Sequence, residues 1–499
     1  MARTGGSPTA VGPNPNTVKF AESRSPAYRC VYYNRNFCTG YDMTIPDAPV
    51  FSLDRLHGLQ KVIPDETIRQ IARDCGFSPE ARGPLPAHVT LWLMVAVALF
   101  SNLSIRQVYV HSRRFLTYRR TPTRSAFCQA RQRLGIDAIE RLFRAIVRPL
   151  ARPKRCPSAF FAGLRWVGID GTTMDIYDSL ANETAFGRPG SDRGPGAFPQ
   201  LRKVSLVELG THAELAFVVQ GCNQQGGERA ALPELLSQLP EDSLLTMDQG
   251  FFSHDLVRQL LGAGRQFLLR VPAAVIWPVL EVLSDGSFIS ESYANESDRL
   301  AGRGGMRVRV IRYTLNDPNR VGFGKTHVLV TTLLDAEAVP AVESIVGYHE
   351  RWEHELVFDE QKTHLDPRRA QKPAQLRSQT PDGVRQELVA VSLGHYVVRA
   401  MMSEAAAIAG IDPDRLSFAG CVSVLVARLP ECIPTAQGVR DWWTSLLTEM
   451  GCERTEPRRD RVNPRVIKRK MSNRPKKHPH HRRKGRLAKT FAETIVMAT

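Results

Sequence analysis

The apolar residues of this chain change their spacing several times, and each change predicts a change of structure. Residues 63–152 repeat at helical spacing. Within them, residues 86–100 read Pro-Ala-His-Val-Thr-Leu-Trp-Leu-Met-Val-Ala-Val-Ala-Leu-Phe, a helix with almost no polar face, which predicts burial on all sides. Pro64-Asp-Glu opens an earlier helix, residues 104–110 form another, and residues 123–135 a fourth, with Thr123 as its N-cap and Gly135 as its stop. Near Arg165 the spacing shortens to that of strands. Residues 166–170 predict a strand that ends, or nearly ends, in Asp170. Residues 203–209 and 213–219, joined by Gly210-Thr-His212, predict a hairpin. A helix over 229–239, a strand over 243–248 ending in Asp248, a helix over 253–261 stopped by Gly262 and a strand over 266–270 follow. Short strands, notably 306–313 and 327–332, dominate the next stretch, and a long helix runs from 382 to about 409.

These patterns divide the chain. Residues 1–46 are rich in Gly, Pro, Ser, Thr and Asn without a sustained period, and are expected to be disordered. Residues 47–155 are expected to form a helical N-terminal DNA-binding domain. Its last two helices flank a basic turn (Arg113, Arg114, Arg119, Arg120) like a helix-turn-helix pair, from which Arg124, Arg131 and Gln132 would reach a groove. An ordinary helical bundle with a polar outer face is the other reading. Three antiparallel strands, a helix and alternating strands predict an α/β fold with an RNase H-like core, its first part over 156–272 and its second over 341–381. A β-rich insertion over 273–340 separates the two parts. A helical C-terminal domain over 382–450 and a basic tail over 451–499 complete the chain.

Charge sharpens the last of these. Residues 458–489 hold fifteen Lys and Arg against the single acid Asp460, so they carry +14 of the chain's net +17. That concentration, with His478, His480 and His481 among it, reads as an arm for nucleic acid. The nine cysteines contain no C-x2-C pair, which argues against structural zinc and for a reducing, cytoplasmic setting. The longest apolar run, residues 89–100, is too short to span a bilayer, so no membrane partner is expected.

The candidate chemistry lies in Tyr348, Arg351, Glu355 and Lys362, spaced Y-x2-R-x3-E-x6-K. At about 100° per residue a helix gathers all four within a sector roughly 60° wide. A carboxylate there is able to hold a divalent metal, and the two cations and the phenol to hold phosphate oxygens. A solvated face carrying an Arg351–Glu355 ion pair is the plainer reading, and Asp359 one turn on fits it as well. Upstream, Asp170 and Asp248 each close a run of apolar residues, where a carboxylate is costly without a cation or hydrogen-bond partners. Asp175 and Asp178 compete with the first of these, and Asp242 and Asp255 with the second. Two such strands beside a helix carrying Glu355 would hold two Mg²⁺ ions about 4 Å apart.

With these residues the sequence resembles the DDE transposases of bacterial insertion sequences, of the insertion element 4 family. The complete Y-x2-R-x3-E-x6-K signature carries the resemblance, with Asp170-Gly-Thr similar to the family's first-acid motif and Asp248-Gln-Gly-Phe-Phe to its second. The likeness runs from about residue 63 to 477. It implies an enzyme that binds terminal inverted repeats, cleaves the element ends and joins the 3′-ends to target DNA. Asp170, Asp248 and Glu355 would be the catalytic, metal-binding acids, with Mg²⁺ replaceable by Mn²⁺. Tyr348, Arg351 and Lys362 would grip DNA phosphates, and copies of the protein would associate when the ends are paired. Some relatives hold a flipped base with a tryptophan of the insertion; Trp277 lies early in this one and fits core packing equally well. A non-catalytic DNA-binding derivative and a metal-dependent nuclease of the same fold are the alternatives.

Overall fold

The computed structural model describes residues 54–78, 85–100, 103–112, 121–191, 194–365, 375–457, 461–462 and 485–498. The N-terminal segment 1–46, the basic turn 113–120 and most of the basic run therefore lie outside the described residues.

The predicted helices form close to where the sequence places them. They are α1 (Asp65–Asp74), α2 (Ala87–Leu99), α3 (Ile105–His111), α4 (Arg124–Leu134) and α5 (Asp137–Ile146). The Thr123 side chain caps α4 by accepting from the Ala126 amide, and Gly135 ends it at φ 69°, a conformation that glycine adopts without strain. Helix α2 is buried around its circumference, as its lack of a polar face demands. Part of its cover comes from the other end of the chain. The C-terminal helices α6 (Pro381–Ala409), α7 (Phe418–Arg428) and α8 (Ala436–Met450) share one apolar core with α1–α5. The two helical segments, expected as separate domains, are thus one packed body, because Val389, Leu393, Val397 and Met401 of α6 lie in the same core as Leu91, Leu93 and Val95 of α2.

Between them stands a mixed sheet of 12 strands. Its first five long strands are β1 (Leu164–Ile176), β2 (Gln200–Glu208), β3 (Ala213–Gly221), β4 (Ser243–Met247) and β5 (Gln266–Val271), in spatial order β3-β2-β1-β4-β5. β2 runs antiparallel to β1 and β3, while β4 is parallel to both β1 and β5. The insertion contributes β6 (Glu281–Val282), β7 (Phe288–Ser292), β8 (Met306–Leu315) and β9 (His327–Thr331). These strands extend the same sheet, since β9 pairs antiparallel with β5 and the order continues β9-β8-β7-β6. Trp277 is buried against Phe252 and His254, so it packs in the core.

The end of the chain returns to this sheet. Ile495–Met497 forms β10, antiparallel to β8, and the Phe491 ring stacks on His349 with centroids 4.1 Å apart. Arg461–Val462 pairs with Gly485–Arg486. The stretch 451–499, expected as one tail, is therefore fixed at its far end. The apolar alternation Ile495, Met497 supplies the strand, a short signal that follows directly on a strongly basic run. Among the described residues no helix is long and apolar enough to cross a membrane.

Candidate active site

Strand β1 is central and buried on both faces from Trp166 to Ile169, and the burial stops at Asp170. The strand itself continues for six residues past Asp170, held by β2 through Asp175↔Gln200. What ends is the parallel ladder: Ile169 pairs with Met247, and β4 goes no further. Asp170 is thus at the end of the ladder and not at the end of its strand. Asp248, the residue directly after β4, remains extended at φ −75° and ψ 163°. Asp170 and Asp248 each follow that last pair directly, so the register brings them to the same end of two neighbouring parallel strands. The carboxyl ends of parallel strands are where an open α/β sheet offers a crevice.

The four motif residues lie on one helical rod that packs against the ends of β1 and β4. It consists of α9 (Ala341–His349), a 3₁₀ turn over Glu350–Trp352, α10 (Glu353–Asp359) and a π-turn over Glu360–His364. The Tyr348 hydroxyl donates to the Met247 carbonyl at 3.2 Å, next to Asp248. Arg351 is buried and its Nη1 lies 2.9 Å from Asp170 Oδ2. Lys362 bonds the Thr172 hydroxyl and donates to the Thr173 carbonyl at 2.9 Å, two and three residues past Asp170. Glu355 is exposed on the same rod. Asp359 faces His364 across the π-turn, 3.2 Å away.

Arg351 stands in the field of all three acids. Burial works against the charge of Arg351, but Tyr348, Asp170, Asp248 and Glu355 together outweigh it and hold the guanidinium firmly protonated. Burial pushes the Asp170 carboxyl up and Asp248 adds to this; Arg351 and the Gly171 amide oppose without cancelling it. Burial, reinforced by Lys203, lowers the Lys362 ammonium to about 8, and burial raises the Tyr348 phenol. The competing acids have other partners: Asp175 accepts from Gln200 at 3.1 Å, Asp178 pairs with Arg188, and Asp242 pairs with Arg165 at 3.1 Å. Asp255 sits in the first turn of the helix His254–Gly262.

Two features were not visible in the sequence. Glu228 lies near Asp170 and Asp248; burial and both aspartates raise its carboxyl. The only local hint is its place after Gly226-Gly227, between the hairpin and the next helix. The second is a buried ion network behind the rod. Glu360 accepts from Arg399 Nε and meets His395 Nε2, each at 2.9 Å, and lies 3.1 Å from His212 Nδ1. Beside it Lys203 reaches Glu214 at 2.7 Å and Gln361 at 2.9 Å. Arg131, expected in a DNA groove, instead donates to the Gly383 carbonyl at 3.1 Å and to Gln386 and Ser378, each at 3.3 Å. It ties α4 to α6; Arg124 and Gln132 remain exposed.

Two family models match this chain: the insertion element 4 transposase N-terminal domain over residues 53–144, and the transposase DDE domain over residues 164–386, a span that contains all three acids. Transposase InsG for insertion sequence element IS4 of Escherichia coli (strain K12) is 27% identical over 430 residues, covering 85% of this chain and 93% of the relative. The chain belongs to the insertion element 4 family of DDE transposases. The putative transposase InsZ of the same organism is also 27% identical to this transposase, over 42% of the chain and 69% of the relative. Among solved structures, a piggyBac transposase synaptic complex with hairpin DNA covers 80% of this chain and 81% of its own at 11% identity; its TM-score of 0.39 is too low to define the fold. Membership makes this in general a DNA-cleaving and strand-transferring enzyme that depends on a divalent metal.

The residues present fit such a metal by their donor chemistry. All three acids offer hard oxygen ligands, and a cation, Arg351, already lies against Asp170. Among the described residues, no three His, Cys, Asp or Glu side chains are gathered into a finished cage. The Arg351 guanidinium takes one of the Asp170 oxygens.

Proposed function

We propose that this chain is an active transposase that binds the terminal inverted repeats of its element, cleaves the ends and joins the 3′-ends to target DNA. Asp170, Asp248 and Glu355 are its metal-binding acids. The observation that carries the reading is that Asp170 and Asp248 directly follow the last pair of two neighbouring parallel strands, with Arg351 bound to Asp170 and in the field of Asp248 and Glu355. The strand order β3-β2-β1-β4-β5, with one antiparallel and one parallel neighbour of β1, supports an RNase H-like core.

Two Mg²⁺ ions, when bound, would supply activation of the attacking hydroxyl and charge neutralisation at the leaving oxygen. The protein's own groups do the rest. Asp170 and Asp248 stand at the end of the parallel ladder, and Glu355, exposed on the rod, would join them at the metal. Arg351 and Lys362 offer a guanidinium and an ammonium to phosphates entering the strand end. Tyr348 braces the carbonyl before Asp248 and completes that grip. The basic run 458–489 adds affinity for DNA backbone, and self-association pairs two ends.

Metal exchange tests this reading. Mg²⁺ or Mn²⁺ should support cleavage of DNA ending in the element's repeat, and Ca²⁺ should support binding with little cleavage. Full turnover in EDTA would contradict it.

A further inference from the structure

The crevice holds one carboxylate that the three-acid reading leaves unused. Glu228 sits in the short 3₁₀ turn Gly227–Ala231 between β3 and the helix Leu232–Ser237. Its neighbour Arg229 donates through Nε to the Gly250 carbonyl at 2.8 Å, which fastens this turn to the loop just after Asp248. The Glu228 carboxylate lies over Gly171, on the face opposite to that of the Asp170 side chain. A Cβ at position 171 would collide with it, so glycine there is what admits the group. Asp170 bends back to the same residue, its Oδ1 accepting from the Gly171 amide at 2.8 Å. The two carboxylates therefore converge on Gly171 from opposite faces of β1, at the level where β4 has ended and the strand edge is open.

Little else holds Glu228 there. Its ion-pair partner is Arg202, 4.0 Å away, and the Glu228 side chain is 38% exposed. An exposed pair at that distance contributes almost nothing to folding. Opposite it, Arg351 is nine-tenths buried and its Nε has no hydrogen-bond partner. A buried guanidinium N–H left open beside these acids suits an oxygen acceptor, such as a phosphate oxygen brought by DNA.

We infer that Glu228 is a fourth carboxylate of the divalent-cation site, binding the cation held by Asp170 and Asp248 either directly or through a water. This rests on the proposed metal-binding role of the two aspartates. A fourth oxygen donor would help hold the cation before DNA brings its own phosphate oxygens. Gly171 is then a part of the site as much as Asp170 is, because it makes room for the fourth ligand.

Mn²⁺ binding to the full-length, DNA-free protein tests this, measured by calorimetry and by the spin-resonance signal of free Mn²⁺. Glu228→Gln should weaken Mn²⁺ binding by roughly 10–100-fold. Its thermal unfolding should match that of the parent, and binding of repeat DNA in EDTA should be unchanged. Asp248→Asn is measured beside it. If Asp248→Asn weakens Mn²⁺ binding and Glu228→Gln does not, Glu228 is no ligand and the three-acid site stands. If neither substitution has an effect, the metal site itself is misplaced, and the assignment of Glu228 falls with it. Gly171→Ala gives a second handle, since it leaves every carboxylate in the chain but fills the space of the fourth; it should reproduce the Glu228→Gln loss.

Discussion

Glu355→Gln is expected to lower DNA cleavage at least about 1,000-fold, equivalent to about 4 kcal/mol of transition-state stabilisation. DNA binding should survive. The substitution removes one negative oxygen donor and preserves shape, and Glu355 is exposed on the rod, so folding has little to lose. The effect should be large because a metal site missing a charged ligand fails where charge develops, on the attacking and leaving oxygens. Cleavage by single turnover and binding by gel shift, on the same preparation, measure the two quantities. Retained cleavage would remove Glu355 from the chemistry. A joint loss of cleavage and binding would make it a DNA contact or a structural residue instead.

The second large effect is on stability. Glu360→Ala is expected to lower the free energy of unfolding by about 3–5 kcal/mol. Glu360 is buried at the start of the π-turn, and Arg399, also buried, is its partner together with His212 and His395. Truncation leaves the Arg399 guanidinium without its carboxylate inside the fold, which costs far more than the pair itself contributes. Burial alone would raise the Glu360 carboxyl, but Arg399 and His212 outweigh it and hold it well below the usual carboxylate range. A carboxyl depressed in the folded state contributes its stability above the ordinary glutamate range and loses it as pH falls toward the folded value. The gap between parent and variant should therefore narrow in strong acid. Urea unfolding followed by tryptophan fluorescence at neutral and acid pH measures it, and an unchanged midpoint at neutral pH would contradict the role assigned to the network. The network also carries the candidate site: Gln361 and Lys362 follow Glu360 directly, so the seat of the π-turn sets where Lys362 meets β1.

Local pattern made much of this protein legible. The wholly apolar run of α2, the hairpin around Gly210 and the cap and stop of α4 all lie within a few residues of their cause. Asp170 and Asp248 were readable because a carboxylate at the end of an apolar strand is conspicuous. That their strands are neighbours was not, since the register Ile169↔Met247 joins residues nearly eighty positions apart. The same limit hid the union of the two helical segments and the joining of the insertion to the main sheet. Arg131 looked like a groove-reading side chain because exposure cannot be read from type alone; α6, some 250 residues later, claims it. His212 read as a turn residue, and nothing local reveals that it meets Glu353 at 2.8 Å and Glu360 at 3.1 Å. Arithmetic on an ideal helix placed the motif residues on one face; a 3₁₀ turn and a π-turn interrupt the rod, yet Tyr348, Arg351 and Lys362 all still face β1 and β4.

Strand joining is the measurement closest to the central claim, that one acid-lined crevice both cuts the element's ends and transfers them. The protein is mixed with pre-cleaved DNA ending in the repeat that flanks its gene, and with supercoiled plasmid as target, in Mg²⁺. Plasmid covalently joined to the 3′-ends is the predicted product, absent with Glu355→Gln. Nicked plasmid without joining would show a nuclease, and a mobility shift without any broken strand would show a binding protein; either result contradicts the account.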